Sequence, residues 1–324
     1  KIFTILAEKN INVLMVSSNP SEASISIIVK KPDLEKAVNA LEMNLLGKLV
    51  KKAFKGVKKI AKSPLGKAAI GAALMGAPFG GGSWFGAGSG FGRLLAQGLA
   101  LRGAKLVLSD INEHALTEVR HSLASSCDAI TLAGDIALES VNQSLVDAAV
   151  NQFGRLDIAV NNAGIAHQPA PVHQMTEDII DRQFAVNVKG VMFGMKYQIP
   201  VMLAQKQGHI MNVSSLAGLG GAPKGAAYAA AKHAVAGVTR TAAVEYGRKN
   251  VRVNAICPFY SPTNILNVDG YNTPEAQAQL GMGSPMKRLA DPQEIVNTML
   301  LLLSPGNSYM NGQTIAVDGG VTAW

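Results

Sequence analysis

The chain has 324 residues, 48% of them hydrophobic and 16% charged, which is enough to bury a sizeable core in one or two domains. Its two cysteines, Cys127 and Cys257, stand far apart, which excludes a secreted disulfide framework or a cysteine-built metal cluster and makes a reducing, cytoplasmic setting the expectation. The formal net charge of +8 is confined to residues 47–83, with eight lysines and no acid; residues 1–46 hold five of each sign and residues 84–324 seventeen of each, so the charge gives no ground for a specific nucleic-acid partner.

Residues 1–46 read as helix, strand, strand, helix. KIFTILAEKN is a short amphipathic helix, and INVLMVSS and EASISIIVK are strands turned at Asn19-Pro20-Ser21. PDLEKAVNALEMNLL is a helix with Pro32 near its start and acids in its first turn. The runs INVLMVSSNPSEASISIIV and EKAVNAL resemble part of an ACT domain, especially the one that regulates aspartate kinases. The family pattern is β-α-β-β-α-β, and its first and last strands have no counterpart here. The resemblance implies amino-acid binding at paired interfaces, without naming ligand residues.

Residues 47–84 form a different block. Val50, Phe54, Val57 and Ala61 recur at helical spacing between lysines, as in a basic amphipathic helix. Two readings stay open for residues 47–67, a membrane-surface helix and a solvated linker. AAIGAALMGAP is too short to span a bilayer, and GAPFGGGSW is a flexible glycine-rich stretch.

From residue 85 to 324 strands and helices alternate, as in a doubly wound parallel sheet with helices on both faces. Strands are expected at 105–109, 129–133, 156–160, 208–213, 251–256 and 313–317. Helices are expected near 90–102, 112–125, 138–152, 176–206, 226–249 and 291–303. GAGSGFG, residues 86–92, opens the first of these helices. Glycines at Gly86, Gly90 and Gly92, with Ser89 and Phe91 between, allow a tight turn and close backbone approach to a pyrophosphate, while the helix N-terminus offers donors and a positive dipole end. The strand KLVLSD then ends at Asp110, about 20 residues on, where a ribose 2′-hydroxyl is read. Asp110 would repel a 2′-phosphate, and neither Ser89 nor Asn112 offers a positive charge, so the expected cofactor is NAD rather than NADP.

Tyr228 and Lys232 lie four apart in YAAAK, on one helix face, with Ser215 thirteen positions earlier in NVSSLAG. A neighbouring ammonium favours phenolate and brings a tyrosine closer to use as a base. His167, His173 and His233 show no metal-ligand spacing and read as surface or supporting groups.

GAGSGFG, Asp135 in AGDI, NNAG at 161–164, Asn187 in FAVNVKG, Ser215, YAAAK, RVNAICP at 252–258 and VDGG at 317–320 run in one order over three quarters of the chain. On these motifs residues 85–324 resemble a classical short-chain dehydrogenase/reductase. The resemblance implies a Rossmann-like fold and hydride exchange between NAD and a secondary alcohol or ketone. It makes Tyr228 the acid/base, Lys232 the residue that lowers its pKa and holds the nicotinamide ribose, and Ser215 the group orienting the substrate oxygen. Asn187 would hold a relay water. Asp135 and Ile136 would flank the adenine, Asn162, Ala163 and Gly164 would wall the ribose, and Pro258 and Thr263 would lie near the nicotinamide. Residues 259–285 match the substrate lid, and a homotetramer or dimer through helices 176–206 and 226–249 is implied.

Two departures stand out. Before the glycines the family has an apolar central strand, where this chain has GGGSW, so the first strand is expected to be missing unless Ala72–Met75 or strand 11–17 replaces it. Phe259 stands where the family has glycine. The alternatives to an enzyme are a non-catalytic dinucleotide-binding module in a composite chain, and a membrane-surface protein acting through 47–67.

Overall fold

The computed structural model describes residues 13–19, 24–29, 69–71, 90–123, 127–266 and 270–323. The chain forms two compact units, Lys1–Gly66 and Lys67–Trp324. In the first, β1 (Val13–Asn19) and β2 (Ser24–Val29) pair antiparallel from Val13–Val29 to Asn19–Ser24, with a bulge between Val13 and Met15. Both strands fall within the runs INVLMVSS and EASISIIVK, give or take a residue at their ends. The helices expected on either side, and the lysine-rich helix over 47–67, lie outside the described residues.

The second unit is built on a seven-stranded parallel sheet. Its strands are β3 (Ala69–Gly71), β4 (Lys105–Asp110), β5 (Ala129–Ala133), β6 (Ile158–Asn161), β7 (Gly208–Val213), β8 (Val251–Pro258) and β9 (Thr314–Val317), in the spatial order β5-β4-β3-β6-β7-β8-β9. β3 corrects the expectation of a missing strand. It pairs with β4 at Ala69–Lys105, Ile70–Leu106 and Gly71–Val107, and with β6 at Ile70–Ile158 and Gly71–Ala159. The replacing segment is neither Ala72–Met75 nor the early strand, which pairs with β2 instead. Small apolar residues suit a central parallel strand, enclosed on both faces, better than Gly-Gly-Gly-Ser does.

Helices α1 (Phe91–Ala100), α2 (Glu113–Ser122), α3 (Glu139–Phe153), α4 (Glu177–Phe184), α5 (Gly190–Gln205), α6 (Ala226–Tyr246), α7 (Pro274–Gly281) and α8 (Pro292–Leu302) complete the unit. Their ends carry local reasons. Asn112 caps α2 by accepting from Ala115 N at 3.0 Å, and α3 stops at left-handed Gly154, φ 76°. α8 opens with a reciprocal capping box between Asp291 and Glu294, with Pro292 in its first turn. The helix expected over 176–206 is broken by a π-helical turn, Ala185–Lys189, between α4 and α5. α7, within the expected lid, was not foreseen; Thr273 caps it by accepting from Ala276 N at 3.2 Å.

The core lies on both faces of the sheet because strand side chains alternate. Leu106 and Leu108 of β4 join Leu95 and Leu99 of α1 and Ile295 and Met299 of α8 on one face. Val107, between them, joins Leu145 of α3, Met195 of α5 and Val235 of α6 on the other.

Candidate active site

The carboxyl ends of β6, β7 and β8 deliver Asn161, Val213 and Pro258 to one end of the sheet, in adjacent register. Beneath them runs a buried amide ladder. Asn161 Nδ2 donates to Asn212 Oδ1 at 2.8 Å, Gln198 Nε2 donates to Asn161 Oδ1 at 2.8 Å, and Asn212 Nδ2 donates to Thr239 Oγ1 at 2.9 Å. This ties β6 and β7 to α5 and α6. Asn161 thus braces the site rather than facing a ligand.

Asn187 is fully buried at the π-helical turn. Its Oδ1 accepts from Ile165 N at 2.9 Å, and its Nδ2 donates to Ile165 O at 2.9 Å and to Gln183 Oε1 at 2.8 Å. The side chain therefore clamps the chain after Gly164 and also marks the break in the helix.

Lys232 is buried, and its Nζ donates to Val213 O at 2.9 Å. That ammonium lies 5.7 Å from the centre of the Tyr228 ring, so the pair shares one helix face as its spacing requires. Burial pushes Lys232 down to about 8, with Cys257 working in the opposite direction. Burial also pushes the Tyr228 phenol up to about 12, opposed by a hydrogen bond with Ser215. The expected lowering of the tyrosine by its lysine is thus not what governs the bare protein. The ammonium sits against the ring face and is itself stripped of water.

The two serines divide the work. Ser214 Oγ donates to Lys232 O at 2.9 Å and is buried beneath α6. Ser215 caps the turn Leu216–Gly218, accepting from Ala217 N at 3.2 Å, and is the serine that meets Tyr228. Cys257, fully buried, approaches Ser214 and Ser215 from β8, and burial raises its thiol.

At the other end of the site α1 begins after Gly90, which has no side-chain cap and no acid following it in the first turn. A Cβ on Gly90 would meet nothing within 4 Å. Phe91 and Gly92 open that turn half-buried, while Gly86 and Ser89 lie outside the described residues. Asp110 ends β4, and its Oδ1 accepts from Asn112 N at 2.9 Å. Among the described residues, a helix N-terminus without a side-chain cap and the carboxylate that ends β4 fit a dinucleotide's pyrophosphate and ribose.

Other expected positions behave differently. Asp135 accepts from Ala137 N at 2.9 Å and from Arg182 at 3.0 Å, so its carboxylate is held by protein. Ile136 is buried with Ala163, Ile165 and Val186. Asn162 is half-buried at the mouth of the strand. Gly164 has a packing reason: a Cβ there would sit 3.0 Å from Asn187 Oδ1 and 3.1 Å from Lys232 Nζ. Pro258 ends β8, and Thr263 N donates to Ser261 O at 2.7 Å in the turn beyond.

Phe259, where the resembled family has glycine, is buried at 7% exposure. Its ring meets Tyr260 edge-on at 5.1 Å, and Tyr260 in turn approaches Tyr271 at 6.3 Å. Tyr260 also bears on Tyr228, raising its pKa. Sequence reasoning missed this aromatic rim because the segment 259–271 has no periodicity. Among the described residues no group of three or more His, Cys, Asp or Glu is arranged to hold a metal.

Residues 86–322 match a family model described as "Enoyl-(Acyl carrier protein) reductase", and residues 1–45 match one described as an ACT domain. The chain is similar to levodione reductase of Leifsonia aquatica, 35% identical over 74% of this chain and 92% of that protein. It is 37% identical to cis-4-hydroxycyclohexanecarboxylate dehydrogenase of Sinomonas cyclohexanicum, over 74% and 94% of the two chains. Among solved structures it superposes on an NAD+-bound xylitol dehydrogenase with a TM-score of 0.69 and 29% identity, covering 78% of this chain and 98% of that one.

Proposed function

Because this chain belongs to the short-chain dehydrogenases/reductases, with an ACT-domain match at its start, we propose that it exchanges a hydride between NAD(H) and a ring-bearing secondary alcohol or its ketone. The observation that carries this reading is the convergence of Ser215, Tyr228 and Lys232 at the carboxyl ends of β7 and β8. The ring preference rests on the cyclohexane acid named for one relative and on the aromatic pair Tyr260 and Tyr271 at the rim. NAD is favoured over NADP by the Asp110 carboxylate, which repels a 2′-phosphate.

A bound nicotinamide supplies or accepts the hydride. In the reductive direction Tyr228, a phenol at neutral pH, gives its proton to the carbonyl oxygen as negative charge develops there. Ser215 shares the hydrogen bond and fixes that oxygen. The oxidative direction is the reverse and starts from the Tyr228 phenolate, favoured by the nearby Lys232 ammonium, which takes the proton of the substrate hydroxyl. Lys232, near 8, keeps its proton at neutral pH and holds positive charge close to the ring. Asn187 holds Ile165, and with it Gly164 against Lys232 Nζ, in place. The exposed apolar side chains Met192 on α5 and Val244 on α6 support assembly of copies through these two helices.

The test is nicotinamide absorbance with cyclohexanol and related secondary alcohols, in the parent and in Tyr228→Phe. Turnover should be lost in the variant while NAD binding, read by calorimetry, remains. A variant as active as the parent sinks the assignment of Tyr228.

A further inference from the structure

Arg182 and Asp135 join two elements far apart in the chain. From the last turn of α4, Arg182 Nη1 donates to Asp135 Oδ2 at 3.0 Å, in the loop after β5. The arginine is half exposed and the Asp135 side chain 24% exposed, so a ligand can reach the carboxylate. An ion pair this exposed adds little stability. Yet the segment that carries Asp135 is fixed from several directions. Asp135 Oδ1 accepts from Ala137 N at 2.9 Å, and Leu138 N donates to Asp135 O at 3.0 Å. Asn142 Nδ2 donates to Ile136 O at 2.8 Å, and a Cβ on Gly190 would strike the Ile136 side chain. Arg182 is anchored in turn, because Gln183 beside it is buried and accepts from Asn187 Nδ2 at 2.8 Å.

The place of this carboxylate matters. Ala133 of β5 pairs with Asp110 of β4, and Gly134 N donates to Asp110 O at 3.0 Å. Asp135 therefore stands just beyond its strand end, alongside the residue proposed to read the adenosine ribose. The base is attached to that ribose and falls in the same neighbourhood. A carboxylate has about four acceptor positions. Ala137 N and Arg182 each take one, which leaves acceptor capacity for a donor on a ligand.

We infer that Arg182 is a positioning residue for the base of the cofactor: it fixes Asp135 so that the carboxylate accepts from the amino group of adenine and rejects a base with a carbonyl there. The inference rests on the dinucleotide reading above and adds to it a residue that sets base selectivity. Adenine offers a donor at N6 and an acceptor at N1. Hypoxanthine reverses both, with an acceptor at C6 and a donor at N1. A carboxylate free to swing would satisfy either base, by moving from the amino group to the N1 proton. One held at Oδ1 by Ala137 N and at Oδ2 by Arg182 cannot follow, so hypoxanthine sets acceptor against acceptor.

The test is calorimetric binding of NAD and of nicotinamide hypoxanthine dinucleotide to the full chain, in the parent, Arg182→Met, Arg182→Lys and Asp135→Asn. The parent should bind NAD more tightly by about tenfold or more in Kd. Arg182→Met should bring the two Kd values within about threefold of each other. Arg182→Lys, which keeps a cation for the carboxylate, should retain the greater part of the preference. Asp135→Asn, which adds a donor at the same place, should narrow it. A purely structural role for Arg182 would weaken both dinucleotides alike and leave their ratio unchanged. Should Arg182→Met fail to fold by thermal melting, Arg182→Ala is read by the same ratio. NAD binding with no base preference in the parent overturns the inference alone. So does a ratio unchanged in Arg182→Met or in Asp135→Asn, or a loss as complete in Arg182→Lys as in Arg182→Met. A parent that binds neither dinucleotide overturns the dinucleotide reading and the inference with it.

Discussion

Gly164→Ala is the sharpest single test of how the site is held. The added methyl would lie 3.0 Å from Asn187 Oδ1 and 3.1 Å from Lys232 Nζ, a few tenths of an ångström too close to both. Neither neighbour is a loose end. Asn187 is fixed by two bonds to Ile165 and one to Gln183, and Lys232 Nζ is fixed on Val213 O. Overpacking of this kind costs about 1–3 kcal/mol, partly offset by about 0.4–1 kcal/mol from the lower entropy of the unfolded alanine chain. The net loss of stability is thus small, on the order of 1 kcal/mol. The effect on rate is larger, because displacing Lys232 shifts the charge beside Tyr228. A transition-state penalty of about 1.4–2.8 kcal/mol corresponds to a fall of about 10–100-fold in kcat. The assay is steady-state turnover alongside thermal melting of the parent and variant. A variant with kcat within about twofold of the parent and an unchanged Tm would refute the contact as a positioning constraint.

Two further perturbations read other parts of the molecule. Asp110→Asn keeps an acceptor for Asn112 N but removes the charge, so the NAD-to-NADP preference should fall by about tenfold, measured as the ratio of kcat/KM values. His209 is buried, and burial, followed by the nearby Arg252, pushes it down to about 3 from 6.5. The unfolded chain therefore binds the proton first. Stability is whole above about pH 6.5 and falls by up to about 1.4 kcal/mol per unit as the pH drops toward 3. Urea unfolding at pH 7 and pH 5 should show this loss in the parent and a shallower one in His209→Gln; equal losses refute it.

The periodic parts of the chain were legible. β4 through β9 and their helices fall within a few residues of their expected positions because apolar alternation and helical spacing are strong over such lengths. The proximity of the residues proposed as catalytic was also legible in part: Lys232 lies over the Tyr228 ring as the YAAAK spacing requires, and Ser215 meets Tyr228. Three features were not. β3 is only three residues long and carries a glycine, so local propensity argues against it, and its two partners in the sheet hold it in place. The π-helical turn at Asn187 depends on side-chain bonds to a distant loop, which no local pattern encodes. The influence of burial on Tyr228 depends on how α6 packs, so the lysine four residues away was credited with more than the structure gives it.

The short β3 raises the question of what positions the glycine-rich end of α1, since a longer strand would normally feed directly into that loop. Here α1 is fixed by its own packing. Leu95 is fully buried and Leu99 nearly so, in a cluster with Leu106 and Leu108 of β4 and Ile295 and Met299 of α8. A Cβ on Gly98 would strike Leu300 Cδ1 at 2.7 Å, so α1 and α8 meet with no room for a larger residue. The helix N-terminus that fits a pyrophosphate is therefore set from below, by contacts that do not pass through β3. Leu95→Ala should remove about 2–5 kcal/mol of stability through the cavity it leaves. It should also weaken NAD binding, because α1 would no longer be held against β4 and α8. Thermal melting with and without NAD separates the two effects, since a bound ligand raises Tm only as far as its affinity allows. A lower Tm with an undiminished NAD-dependent rise would mean that the glycine loop is positioned by something other than this packing.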